Sequence, residues 1–115
     1  MVGARLREVL LAGAGMGDLE GDGVHLGRAE HPVCGDTVQL AVRRDGDRIV
    51  EVKWRAAGCP ASMAVAALAA STLANVPVAA AADTLRSAIT AHGGLAAHER
   101  HAEAMVLRAL AAAVP

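Results

Sequence analysis

The chain has 115 residues, 28 of them alanine, with one tryptophan and no phenylalanine or tyrosine, and 11 basic against 12 acidic side chains give a net charge of −1. That length allows one domain, residues 1–115, around a core that lacks the aromatic surface usually dominating burial. With no basic surplus to neutralise phosphates, nucleic acid is not expected as a partner.

The first residues, Met1 to Leu11, hold a short apolar stretch behind two arginines, too short and too charged for a signal peptide. Leu6, Val9 and Leu10 stand at helical spacing and predict a short helix. Gly13, Gly15, Gly17, Gly21 and Gly23 then predict a loop, and weak alternation over Val24–Ala29 a first strand. The hairpin signal is stronger. Val38, Leu40 and Val42 alternate with polar or small residues, as do Val50, Val52 and Trp54, and Asp45-Gly46-Asp47 lies between the runs.

Pro60 suits the first turn of a helix running to about Leu73, which leaves Cys59 at its mouth. Residues 56–82 carry no charge and are long enough to cross a bilayer. The stretch is mostly alanine, however, with Ser62, Ser71, Thr72 and Asn75 along it and Pro77 to break a span. It reads as a buried helix of a soluble protein, with no membrane insertion. Pro77 begins a short turn, a third helix covers about 80–90, Gly93-Gly94 ends it, and a last helix covers 95–113. In that helix His98, His101, Ala102, Met105 and Ala109 share a face. The fold class expected is α+β: an antiparallel sheet of about three strands, packed on one face by the C-terminal helices.

The two cysteines, Cys34 and Cys59, sit at the two ends of the predicted hairpin, 25 residues apart, so folding can bring them to one small ion. In a reducing cytoplasm, the compartment expected here, they are ligands or catalysts before they are a disulfide. Cys34 and Asp36 project to the same side of an extended chain, and Gly35 lets the backbone bend close to a ligand. Thiolate and carboxylate together suit zinc or iron; the plain reading is a small buried cysteine beside a turn aspartate. Cys59 at a helix N-terminus lies where the dipole and free N–H groups favour negative charge, and Ser62 can hydrogen-bond that sulfur or help to cap the helix. Of the five histidines, His101 is favoured because its helix returns across the sheet, and His98, one turn earlier, is the substitute; spacing alone selects neither.

His31-Pro32-Val33-Cys34-Gly35-Asp36, the Asp-Gly hairpin, and Gly58-Cys59-Pro60-Ala61-Ser62-Met63-Ala64 resemble the IscU/NifU/SufU family of iron–sulfur cluster assembly scaffolds, over about residues 21–75. The resemblance implies a SufE/NifU-like fold and a protein that is not an enzyme. It implies a scaffold that takes sulfur from a cysteine desulfurase, binds iron, builds a [2Fe–2S] cluster and passes it to apo iron–sulfur acceptor proteins, with zinc able to use the same ligands. By position it implies Cys34, Asp36 and Cys59 as ligands, with Gly35, Gly58 and Ser62 in the motifs around them. In the last helix His101 matches the family histidine, and Ala102 stands where the third cysteine belongs. Cys34, Asp36, Cys59 and His101 still make four donors for iron, a cluster or a tetrahedral zinc ion. A chaperone partner is not expected, because Leu95-Ala96-Ala97-His98-Glu99 replaces the family's Leu-Pro-Pro-Val-Lys segment.

Two other classes remain open on the sequence. One is a divergent member that no longer assembles clusters and acts as a zinc-binding or regulatory interaction module, motivated by Ala102. The other is a thiol enzyme using Cys59 as nucleophile, for which no oxyanion or substrate motif is visible.

Overall fold

Alternating residues on either side of Asp45-Gly46 form the central hairpin of the protein, whose computed structural model describes residues 3–32 and 35–114. Strand β2 (Thr37–Asp45) pairs antiparallel with β3 (Arg48–Ala57), and β1 (Val24–Glu30) lies antiparallel on the other side of β2. Asp45 pairs with Arg48, so the turn closes on Gly46, at φ +57°, and Asp47.

One expectation is corrected inside this hairpin. The register shifts beside the turn: Arg43 pairs with Glu51 and Arg44 with Ile49, which leaves Val50 as the extra residue of a bulge. The bulge turns Ile49 inward, fully buried, and leaves Val50 42% exposed, so Ile49 takes the place on the apolar face expected for Val50. Val50→Thr should therefore change stability by no more than about 0.5 kcal/mol. Ile49→Val should cost about 0.5–1.5 kcal/mol. Urea denaturation of both variants checks the order, and a larger loss at Val50 would remove the bulge.

The helices explain the alanine. Helix α2 (Pro60–Thr72) packs against β2 and β3, and is flanked by α1 (Ala4–Ala12), α3 (Ala81–Ala91) and α4 (Arg100–Ala113). A helix enclosed on so many sides has no polar face to offer water. Its Ala61, Ala64, Ala66, Ala67 and Ala69 are all buried, and their short side chains let the neighbours approach. This is why the uncharged stretch reads like a span. Among the described residues no helix is long and apolar enough to cross a membrane. The sheet meets α2 and α4 with Ala29, Val38, Leu40, Val42, Val52 and Trp54. Gly27 marks the closest approach of α4 to β1: a Cβ there would run into the Ala109 carbonyl.

The glycine-rich segment is more than a loop. It runs beside the outer edge of β3, where Trp54 donates its backbone N–H to the Gly15 carbonyl at 2.8 Å and accepts from Gly17 N–H at 2.9 Å. The Trp54 indole N–H donates to the Ala14 carbonyl at 2.7 Å, so the single aromatic is buried without an unmet donor. Arg55 clasps Asp18 through two bonds of 2.8 Å, which hold the Asp18 carboxyl below its ordinary range. Near the turn, Asn75 and Val76 pair with Ile49 in the same way. Both ends of the β3 edge are thus covered against further strand pairing.

The last helix begins later than its sequence pattern predicts. Ala96 is extended, a 3₁₀ turn spans Ala97–Glu99, and α4 starts only at Arg100. The buried Glu99 carboxylate accepts the Ala96 N–H at 3.1 Å, fixing the entry of the chain into the helix. His98, expected on the helical face with His101, lies instead in the 3₁₀ turn and is exposed.

Candidate metal centre

The strand register assembles the site. Thr37 pairs with Ala57, so the residues next along each strand end, Asp36 and Gly58, come face to face. Gly58 has φ +116°, and a Cβ there would collide with Asp36 Oδ1; only glycine lets the two strand ends close in this way. The segment before β2 is closed by His31 N–H to the Asp36 carbonyl and Gly35 N–H to the His31 carbonyl, both 2.8 Å. Cys59 follows Gly58 as the cap of α2, with Pro60 at the first turn. His101, in the first turn of α4, reaches the same point from the third side.

Asp36, Cys59 and His101 converge so that one donor atom from each lies within 4.8 Å of the other two. Asp36 is 5% exposed, and Cys59 and His101 are half-buried. Asp36 Oδ2 and His101 Nε2 face each other at 3.4 Å. Both atoms are shut off from solvent, and neither has a hydrogen-bond partner among the described residues. A charge-assisted hydrogen bond would be about 2.7–2.9 Å. A separation near 3.4 Å is instead about the edge of a tetrahedron whose ligands stand about 2.0–2.1 Å from a central zinc ion. Two buried polar atoms turned to one point and left unsatisfied fit a cation between them.

The other expected site residues are placed as follows. Cys34 lies outside the described residues. Gly35, at φ +72°, makes the bend that leads into Asp36. Ser62 does not serve the helix cap: Cys59 caps α2 without a side-chain hydrogen bond, and the buried Ser62 hydroxyl lies 4.0 Å from Met105 Sδ. Three residues into α2 its side chain points inward, so it joins α2 to α4, the helices that carry Cys59 and His101. Ala102 is fully buried, packed in the core and without a donor to offer. His98 is not in the converging group. His31 escaped the sequence reading as a site residue, yet its ring meets that of His101 edge to face, with centres 5.1 Å apart. Its place three residues before Cys34 was the available signal.

Residues 14–115 match the NifU-like N terminal domain family. Two iron–sulfur cluster assembly scaffold proteins of Archaeoglobus fulgidus, IscU 1 and IscU 2, are each 29% identical over 96 residues, covering 83% of this chain and 61% of theirs. The chain thus spans less than two thirds of the length of these relatives. Among solved structures, a protein of Fervidobacterium islandicum AW-1 described as an iron–sulfur cluster assembly scaffold for the SUF system superposes with a TM-score of 0.79 at 18% identity, covering 99% of this chain and 96% of that one. The N-terminal part of a NifU-like protein of Brucella abortus gives 0.70 at 15% identity, covering 96% and 87%. At such identities these structures speak for the fold, a three-stranded antiparallel sheet with helices.

Proposed function

The chain belongs to the NifU-like N-terminal domain family, and from that membership we propose that it is a scaffold or carrier holding iron or a [2Fe–2S] cluster through Cys34, Asp36, Cys59 and His101. One observation carries the reading: Asp36 Oδ2 and His101 Nε2, buried and without a hydrogen-bond partner among the described residues, face each other 3.4 Å apart with the Cys59 sulfur beside them. The iron or cluster is cargo, and the residues named bind and orient it. The family supports a cysteine desulfurase as sulfur donor and apo iron–sulfur proteins as acceptors, in the cytoplasm and without an enzymatic turnover of its own. Because Ala102 has no thiol, incoming sulfur has to be received at Cys34 or Cys59.

Anaerobic reconstitution with ferrous iron and sulfide tests this. The wild-type protein should develop visible sulfur-to-iron charge-transfer absorbance, and Cys59→Ala should lose nearly all of it. Equal colour in the variant, or none in the wild type, removes the scaffold reading.

Ala102 also favours a second reading, in which the site holds zinc in a regulatory interaction module. The converging sulfur, nitrogen and oxygen donors are all good zinc ligands. A metal count on protein purified without oxygen separates the two: stoichiometric zinc with no cluster uptake selects the module.

A further inference from the structure

The sheet has two outer edges, and the chain treats them differently. The β3 edge is taken up by the glycine-rich segment and by Asn75 and Val76. The β1 edge is open. Arg44 N–H donates to the Gly23 carbonyl at 3.0 Å and His31 N–H to the Asp36 carbonyl at 2.8 Å, so the odd-numbered residues along β1 are those bonded to β2. Backbone groups alternate in direction along a strand, and the N–H and carbonyl groups of Val24, Leu26, Arg28 and Glu30 therefore face away from the sheet. No backbone hydrogen bond among the described residues reaches them. Three of the side chains on this edge are exposed as well: Leu26, at 61%, Arg28 and Glu30. Neither charged group has an ion pair or hydrogen bond among the described residues. Charges on an open strand commonly guard it against pairing. Here they are opposite in sign and two residues apart on one face, which makes the strand complementary to an antiparallel copy of itself.

We infer that two copies of this chain pair through β1, antiparallel about a two-fold axis at Ala29, joining two three-stranded sheets into one. Outward groups bond only when even-numbered residues meet even-numbered ones, which leaves few registers. With the axis at Ala29, Arg28 stands opposite the partner's Glu30, and Glu30 opposite the partner's Arg28. Leu26 comes level with the partner's Pro32, whose missing N–H leaves no donor unmet. With the axis at Arg28, that residue opposes its own copy; with the axis at Gly27, it opposes Leu26 and both charges lose their counterparts. Opposite charges directly across a strand pair favour a register, and like charges disfavour it. This pairing concerns the sheet edge and does not rest on the metal reading.

Sedimentation velocity on the purified full chain tests it, with a chelator present so that no metal joins the copies. A strand pair of this length makes a small interface, so the concentrations run from about 10 µM to 1 mM. The wild type should pass from monomer to dimer across that span. Arg28→Glu and Glu30→Arg each set like charges opposite one another in both rows, and each should weaken association at least about tenfold. Mixing the two variants should restore it, since every charge then meets its opposite, and so should both substitutions in one chain. A wild type that stays monomeric, single variants that associate like the wild type, or a mixture that does not recover overturns the pairing. Should a variant fail to fold, amide exchange in the wild type still decides. The N–H groups of Leu26, Arg28 and Glu30 should exchange more slowly as the protein is concentrated, and unchanged rates overturn the inference.

Discussion

An Asp36→Asn variant should melt as high as the wild type, or higher, when both are metal-free, and should lose almost all of the stabilisation that metal confers. Asparagine keeps the shape of aspartate, so the close packing against Gly58 survives. Without metal, Asp36 Oδ2 is a buried oxygen with no hydrogen-bond partner among the described residues, a situation that costs about 1–3 kcal/mol. An amide nitrogen at that position can donate to His101 Nε2, which is equally unmet. The metal-free variant therefore has nothing to lose by the exchange. With zinc at a concentration of 100 times its dissociation constant, the wild type gains about 2.7 kcal/mol. For a chain of this size that is roughly 10 °C in melting temperature. If the amide weakens binding about 100-fold, the same zinc concentration yields only about 0.4 kcal/mol, or 1–2 °C. Calorimetry with and without zinc gives all four melting temperatures. A variant that melts lower without metal and keeps the full zinc response would show that Asp36 is a structural residue and not a ligand.

The second large effect lies far from any donor atom. Gly27→Ala places a methyl group against the Ala109 carbonyl oxygen and the Ala113 backbone nitrogen of α4. Those are backbone atoms of a packed helix and cannot swing aside as the end of a side chain would. The helix must lift from β1, at a cost of about 3 kcal/mol, the upper part of the range for overpacking. That corresponds to a fall of about 12 °C in melting temperature. Because α4 also carries His101, zinc affinity should drop along with stability. Gly3→Ala, where the added methyl meets open space, should stay within about 0.5 kcal/mol and serves as the control. If Gly27→Ala melts with the wild type, α4 does not lie on β1 as described.

These two residues differ in how far the sequence announces them. Asp36 stands in Cys34-Gly35-Asp36, where residue types and spacing already suggest metal chemistry. Gly27 sits in a weakly alternating strand, and nothing local says that a helix more than 70 residues later will rest on it. Cys59 at the mouth of α2 was equally legible, because a helix start is written in adjacent residues such as Pro60. Val50 was misread because Ile49 and Val50 are both apolar, and alternation cannot choose between neighbours once a bulge adds a residue.

The histidines draw the same line more sharply. His98 and His101 look alike on a helical pattern that begins at Leu95, but the 3₁₀ turn held by Glu99 breaks that pattern and sends His98 to the surface. His31 gave only its nearness to the first motif, and its meeting with His101 required the loop closure and the return of α4.

The sequence by itself determined the hairpin, the order of helices and the two motif ends, since these follow from contacts among residues close along the chain. Only the tertiary structure decided which imidazole reaches Asp36, why Ser62 turns to Met105, and where α4 must find a glycine beneath it. Those outcomes depend on distances between elements, which are set by packing a core of small side chains and leave no periodic trace in the chain.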